Sequence, residues 1–482
     1  MTKWEAVIGI ETHVELQTNS KMFCGCPVDF GDDPNTAVCP VCLALPGALP
    51  VPNEAAIEGI LSIGEALNCT LTEDSLFYRK NYFYPDLPKN YQISQYTFPL
   101  CVDGHLEVDV DGAPTTVGIT RVHMEEDTGK STHVGESGRI HGAEHTLLDF
   151  NRAGVPLVEI VSEPDIQTPE QARAYGVELQ RVVRALGVSD ARLEEGSMRF
   201  DVNTSIRPVG SDEFGTRTEI KNVNSLRSMQ RAIAYEIERQ IAVLEGGGSV
   251  HLETRHWDES KGVTKPGRTK EESEDYRYFQ DPDLLPLHID DAWRQRVVER
   301  RPVLPAEKRA RYQELGADQR TAELLADAGD LAALFEAAVG AGADARNAGI
   351  WLTGEVVAFL RREEVSVGET GLSSVSLVEL STMTADGDLS ATAAKEVLGG
   401  VLAGEGSPRE VAEARDLLQI SDEGAIETEV LAVLDEHHDA LDKIRSGDMK
   451  PIGFLIGQVM RATGGKADPR LVQELIRRKA QE

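Results

Sequence analysis

Residues 7–17, VIGIETHVELQ, set two carboxylates and an imidazole among apolar neighbours. A period of two, the repeat of an extended strand, puts Ile8, Ile10, Val14 and Leu16 on one face and Gly9, Glu11, His13 and Glu15 on the other. A second acidic stretch, RVHMEEDTGKSTH, places His123, Glu125 and Asp127 on one strand face and Met124 and Glu126 on the other. Carboxylates clustered with a histidine suit a hard cation such as Mg²⁺, which takes oxygen ligands and keeps waters that bridge to phosphate. The same residues also fit a solvated acidic turn, and the pattern alone leaves both readings open.

Residues 77–96, FYRKNYFYPDLPKNYQISQY, interleave rings with Arg79, Lys80 and Lys89. Rings that stack on bases beside cations that neutralise phosphate make a nucleotide or RNA surface; an aromatic mini-core propped by Pro85 and Pro88 is the alternative. In GTRTEIKNVNSL, Arg217, Glu219 and Lys221 share a strand face, with Lys221 and Asn222 at the strand end, where they can meet phosphate or form only a surface ion pair. Cys24, Cys26, Cys39 and Cys42 follow the spacing C-x-C-x12-C-x2-C, the pattern of a closed tetrahedral zinc site with no open coordination position. That pattern speaks for a structural metal and against catalysis at the cysteines. No P-loop, G-x-S-x-G elbow or dinucleotide fingerprint occurs in a supporting context.

The elements that must hold these residues divide the chain of 482 residues, which exceeds the size of a single core. Residues 1–292, with short alternating runs and many Gly, Pro and Asn, predict a mainly antiparallel α+β domain with helices near 52–67 and 169–186. A further helix starts on Ser225 as N-cap and stops at Gly246. Residues 293–405 are rich in Ala, Leu, Glu and Arg at helical spacing, and 406–482 form a smaller helical domain in which Gly464 and Gly465 stop one helix and Asp468-Pro469 begin the next. The fold expected is therefore a sheet domain followed by two helical domains.

No apolar run approaches the roughly 20 residues of a membrane helix, and MTKWEAVIGIETH lacks the layout of a signal peptide, which predicts a cytoplasmic protein. Clustered cysteines without an export signal favour metal over disulfides. A formal net charge of −32 speaks against a polyanionic partner unless basic patches are local. Such acidity, with few aromatics and few lysines, is also what adaptation to a salt-rich cytoplasm produces, and it points to a halophilic archaeal source.

IGIETHVEL, RKNYFYPDLPKNYQISQ, HMEEDTGKSTH, FNRAGVPLVEIVSEPDI, EEGSMRFDVNTSIRP, TEIKNVNS and DYRYFQDPDLLPL together resemble the B subunits of the aspartyl/glutamyl-tRNA amidotransferase family. The resemblance runs in order through the first 290 residues and continues less specifically to the end. It implies an N-terminal cradle domain that uses ATP and Mg²⁺ to convert the side-chain carboxylate of Asp or Glu, mischarged onto tRNA(Asn) or tRNA(Gln), into an acyl phosphate. Ammonia made from glutamine by the amidase partner (GatA) then displaces the phosphate, with a small third chain (GatC) completing the heterotrimer. On this chain it implies Glu11, His13, Glu125 and Glu126 as the catalytic Mg²⁺ cluster, and Lys80, Glu219, Lys221 and Asn222 as the ATP-binding residues. The last domain resembles a YqeY-like tail, where Lys466, Arg470, Arg477, Arg478 and Lys479 would contact tRNA. Some family members lack the four cysteines, which keeps the zinc structural. A related archaeal protein carries an inserted domain for which this chain has no room.

Two other readings compete with this one. An autonomous metal-dependent hydrolase at Glu11, His13 and Glu125 would need an open metal site and activity in isolation. A zinc-stabilised tRNA-binding scaffold would lose Glu11 and His13 harmlessly.

Overall fold

The computed structural model describes residues 4–29, 31–135, 143–269, 276–419 and 423–481. Contacts divide the chain into two compact units, Met1–Leu304 and Pro305–Glu482.

The strands of the first unit are β1 (Trp4–Glu15), β2 (Thr70–Leu71), β3 (Asp74–Ser75), β4 (Tyr78–Asn81), β5 (Tyr91–Ser94), β6 (Cys101–Val110), β7 (Ala113–Glu126) and β8 (Lys130–Val134). They continue with β9 (His145–Asp149), β10 (Pro156–Ser162), β11 (Met198–Pro208), β12 (Thr218–Val223), β13 (Glu253–Asp258), β14 (Val263–Thr269), β15 (Phe279–Gln280) and β16 (Leu287–His288). Nine of them form one sheet in the order β14-β13-β12-β11-β1-β10-β7-β6-β2. All neighbours in it are antiparallel except β12 and β13. That one parallel pair needs a long crossover, supplied by the helix Leu226–Glu245. A three-stranded sheet, β15-β4-β5, lies beside the end of β7.

The period of two in β1 is realised as expected: Ile8, Ile10 and Val14 are at most 1% exposed, while Glu11, His13 and Glu15 are only half-buried. The apolar face continues through Val122, Met124, Val158, Ile160, Phe200, Val202 and Ile220. Each such side chain contributes roughly 1.5–3 kcal/mol by leaving water. Three helices cover that face: α1 (Glu54–Ala66), α2 (Pro169–Ala185) and α3 (Leu226–Glu245). Asn53 caps α1, and Thr168 with Gln171 forms a capping box on α2, which has Pro169 in its first turn. Ser225 caps α3, which ends at Gly246, as the sequence predicts. At Gly176 a Cβ would sit 2.5 Å from Leu226 Cδ2, so glycine is what lets α2 and α3 approach. A fourth helix, Asp291–Arg300, packs on α1.

The second unit is helical, with two separate apolar cores. One gathers Tyr312, Phe335, Trp351, Leu377 and Val397; the other joins the helices Glu423–Glu436, His438–Arg445, Ile452–Ala462 and Pro469–Gln481 through Ile426, Val430, Leu455, Val472 and Ile476. The architecture is the expected α+β sheet region followed by helices. No helix among the described residues is long and apolar enough to cross a membrane.

Candidate active site

With one face of the large sheet covered by helices, the opposite face of its central strands is free to carry charge. Register fixes which residues meet there. His13 of β1 stands opposite Arg199 of β11 and Glu159 of β10, and Glu159 stands opposite His123 of β7. One row across the sheet is thus Arg199, His13, Glu159, His123. Flanking rows bring Asp201, Glu11 and Arg121 to one side and Glu15 and Glu125 to the other. β12 adds Glu219 and Lys221 beside β11. Most of these residues line a cleft of about 920 Å³.

At its centre, Nε2 of His13 lies 3.5 Å from Glu159 Oε2 and 3.8 Å from Glu125 Oε2. His123 Nε2 is also 3.5 Å from Glu159 Oε2. Ligand atoms of His13, Glu125 and Glu159 all fall within 4.8 Å of one another, the spacing a single cation can bridge. Glu125 is oriented from the small sheet, where Gln92 Nε2 donates at 3.3 Å and Ser94 Oγ at 3.2 Å. Lys80 Nζ approaches Glu125 to 3.7 Å and lies 5.3 Å from the Tyr276 ring centre. Two carboxylates and one imidazole match a divalent cation; the oxygens suit Mg²⁺, and the nitrogen donor also admits Mn²⁺ or Zn²⁺.

The electrostatics are those of a tightly paired cluster. Burial pulls His13 down, but the hydrogen bond and charge of Glu159, with Glu125 behind it, raise it to about 9. His123, more deeply buried, is lowered by that burial despite the same two acids. Glu159 is held well below the carboxylate range because His123, His13 and Lys80 outweigh its burial. Next to this cluster Glu15 is pushed up to about 8, first by burial and then by its hydrogen bond to Asp127, whose own carboxylate receives Arg199 Nη2 at 2.8 Å.

The residues singled out from sequence fall into distinct places. Glu11, His13, Lys80, Glu125, Glu219 and Lys221 share the cleft. Glu11 accepts from Asn203 Nδ2 at 3.0 Å, Lys221 donates to Asp201 Oδ2 at 2.7 Å, and Glu219 accepts from Thr254 Oγ1 at 2.7 Å. Glu126 is turned to the other face of β7, where it is buried against Lys89 and accepts from the Ile93 N–H at 2.9 Å. Asn222 sits in the left-handed region (φ 67°) at a register shift between β11 and β12, its side chain donating to Trp257 O at 3.2 Å. Glu159 is the residue that sequence reading passed over. It is the one acid in the strand PLVEIVS, a visible signal, but nothing in the sequence says that this strand pairs between β1 and β7.

The four cysteines also converge: Cys24, Cys26, Cys39 and Cys42 bring their sulfurs within 4.8 Å of one another. The Cys39 N–H donates to Cys42 Sγ at 3.1 Å. The Cys42 thiol is drawn down to about 4, chiefly by hydrogen bonding from Cys24 and against the effect of burial, whereas burial pushes Cys26 up to about 11. Four sulfurs gathered at this spacing suit a soft or borderline metal. Of the C-terminal cations, Lys466 pairs with Asp416, Arg478 with Glu423 at 3.0 Å, and Lys479 with Glu427 at 2.8 Å. Arg470 and Arg477 are exposed and, seven residues apart, lie on one helix face.

Residues 6–295, which include the whole cleft, match the model of the "GatB/GatE catalytic domain", and residues 333–479 match the "GatB domain". The chain belongs to this GatB family. The aspartyl/glutamyl-tRNA(Asn/Gln) amidotransferase B subunit of Salinispora tropica is 50% identical over 99% of this chain and 96% of its own length. The corresponding proteins of Nocardioides sp. and Crocosphaera subtropica are 49% and 48% identical, covering 99% and 98% of this chain and 97% of their own lengths. Nothing in these GatB relatives supports the halophilic archaeal source expected from net charge; the match spans the acidic chain regardless.

Proposed function

We propose that this chain is the GatB component of a heterotrimeric, glutamine-dependent tRNA amidotransferase, a carbon–nitrogen ligase acting in the cytoplasm with an amidase (GatA) and a small third chain (GatC). The observation that carries the proposal is the convergence of His13, Glu125 and Glu159 in a cleft flanked by Lys80 and Lys221. In this reading the side-chain carboxylate of Asp-tRNA(Asn) or Glu-tRNA(Gln) attacks the γ-phosphorus of ATP and ADP leaves. Ammonia then adds to the carbonyl carbon of the acyl phosphate and inorganic phosphate departs, giving Asn-tRNA(Asn) or Gln-tRNA(Gln).

His13, Glu125 and Glu159 would hold Mg²⁺, which supplies charge neutralisation at the transferring phosphoryl group. Lys80 is set against Glu125 by 3.7 Å and is poised to move its ammonium onto an incoming phosphate oxygen. Lys221, held by Asp201, fixes a second cation across the cleft. Glu11 is oriented by Asn203 to meet the cation's waters or the substrate amine. Tyr96 and Tyr278, stacked at 4.6 Å, and Tyr276 offer flat surfaces for a base. The four-cysteine clasp would hold zinc with every coordination position filled by thiolate, a structural role. Arg470 and Arg477 offer the C-terminal helix's exposed cations to tRNA phosphate.

In the reconstituted heterotrimer, Glu125→Ala and Glu11→Ala should abolish ATP-dependent amidation while glutamine hydrolysis by the amidase continues. Amidation retained in both variants would remove the assignment.

A further inference from the structure

Lys21 is wholly buried, with none of its surface exposed, and its partners are not acids. Its Nζ donates to the carbonyl oxygens of Ala37 at 2.8 Å and Phe150 at 3.2 Å. Among the described residues no carboxylate forms an ion pair with it. A buried ammonium without a counter-anion is expensive, and two carbonyl dipoles return only part of its lost hydration. The anion is close by. Around the position a Cβ on Gly154 would take lie Lys21 Cδ at 3.7 Å, Cys42 Cβ at 3.8 Å and Glu126 Oε2 at 3.8 Å; Glu126 is already paired with Lys89, which leaves the cysteine cluster as the anion for Lys21.

We propose that Lys21 is the buried counter-cation of the four-cysteine metal centre, and that this charge pair ties the clasp to the loop that seats Asp127. Four thiolates around a divalent ion leave a net charge of about −2 in a partly buried place, and a fixed ammonium offsets half of it. Zinc held by the four thiolates would leave Lys21 charged and compensated; without metal or thiolate, Lys21 would keep only its two carbonyl acceptors, since the neighbouring Glu126 is taken by Lys89. The connection to the cleft runs through backbone. Lys21 N–H donates to Cys26 O at 3.0 Å, the Met22 N–H to Gly154 O at 2.8 Å, and the Gly154 N–H to Asp127 O at 2.9 Å. Asp127 lies two residues beyond Glu125. Phe23, the next residue but one, places its ring 5.4 Å from Lys89 Nζ, the partner of Glu126. Lys21 is thus a positioning residue, acting through the metal and the loop rather than on substrate.

The inference rests on the zinc reading proposed above. The test uses the full chain, loaded with zinc, and competition with a chromogenic chelator. Lys21→Met removes the charge at similar volume, and Lys21→Gln removes it while keeping a hydrogen-bond donor. Both should weaken zinc about 10–100-fold, the usual cost of losing an outer partner of a metal site. In the same variants the Met22 and Gly154 amides should lose protection from hydrogen exchange while Ile10 keeps its own. A thermal cycle supplies the second arm. Lys21→Met should lower the midpoint of the zinc-loaded protein but raise it in a Cys39→Ser/Cys42→Ser background, where the cation has no counter-charge. Equal midpoint losses in both backgrounds, or zinc held as tightly by both lysine variants as by the parent chain, would overturn the inference and leave the zinc reading intact. A parent chain that takes up no zinc would overturn both.

Discussion

Glu159→Gln isolates the charge at the middle of the site while keeping its shape. Glu159 Oε2 sits 3.5 Å from the Nε2 atoms of both His13 and His123 and is almost fully buried. Its hydrogen bond and charge, aided by Glu125, lift His13 from 6.5 to about 9 against the pull of burial. At about 1.36 kcal/mol per pH unit that displacement amounts to roughly 3 kcal/mol of folded-state stabilisation. Glu125 shares in it, and the 19% of the His13 side chain that stays exposed lets solvent screen some, which leaves about 2 kcal/mol for Glu159. The sign follows from the direction. A histidine raised in the folded state contributes fully below pH 6.5, and the contribution disappears as pH rises through 9. Denaturant unfolding in magnesium-free buffer, with the clasp metal retained, should therefore show the parent chain more stable than Glu159→Gln at pH 6. The advantage should vanish by about pH 9.5, where a buried carboxylate beside neutral imidazoles gains little. In the heterotrimer the same variant should lower amidation at least tenfold and spare glutamine hydrolysis, because the cation-binding set loses a charged ligand. Parallel pH dependence in the two chains, or undiminished amidation, would refute the cluster as described.

Other perturbations separate positioning from chemistry. Cys39→Ser should lower the thermal midpoint far more than it lowers turnover per folded molecule; loss of turnover in a fully folded, metal-free variant would overturn a structural clasp. Lys89→Met leaves Glu126 as a lone buried charge and should cost roughly 3–5 kcal/mol in chemical denaturation, most of it recovered in Lys89→Met/Glu126→Leu; a mild single-variant effect would mean that the pair is hydrated. Arg470→Ala/Arg477→Ala should weaken tRNA binding and flatten its salt dependence, whereas Lys466→Ala, which removes a cation already paired with Asp416, should do less. Side-by-side turnover of Asp-tRNA(Asn) and Glu-tRNA(Gln) by the heterotrimer decides the substrate.

Period-two alternation was enough to find the working face of β1, because a strand buried on one side leaves little freedom in which residues face the core. It also separated Glu125 from Glu126, although the family resemblance joined the two as a pair; in the fold Glu125 faces the cleft and Glu126 faces Lys89. Capping chemistry at Ser225 and Gly246 gave the third helix its bounds, since those signals are local. Strand order is not local. Glu159 and Arg199 reach His13 only because β10 and β11 flank β1, pairings between residues more than a hundred positions apart. At β12 alternation holds as well: Arg217, Glu219 and Lys221 line the cleft together, and Asn222 turns away toward Trp257. Net charge misled most, since it counts side chains without regard to where they stand.

That failure has a physical reason bearing on how an acidic chain can act on tRNA. A net charge of −32 acts on a polyanion at a distance, and salt confines that repulsion to roughly 8 Å at physiological ionic strength. Inside the cleft the sum is different: Lys80, Arg121, Arg199, Arg217 and Lys221 line the same space as the acids. Their fields are felt at contact distance in a low-dielectric wall, where a fixed cation counts for more than many distant anions. Several of the cleft acids are already answered, Asp201 by Lys221, Asp127 by Arg199 and Glu159 by two imidazoles. A phosphate entering there meets cations that can be drawn from their present partners, together with a carboxylate set that a divalent ion would neutralise. The acidic surface therefore governs how slowly a nucleic acid arrives, and the paired cleft governs whether its reactive end is held.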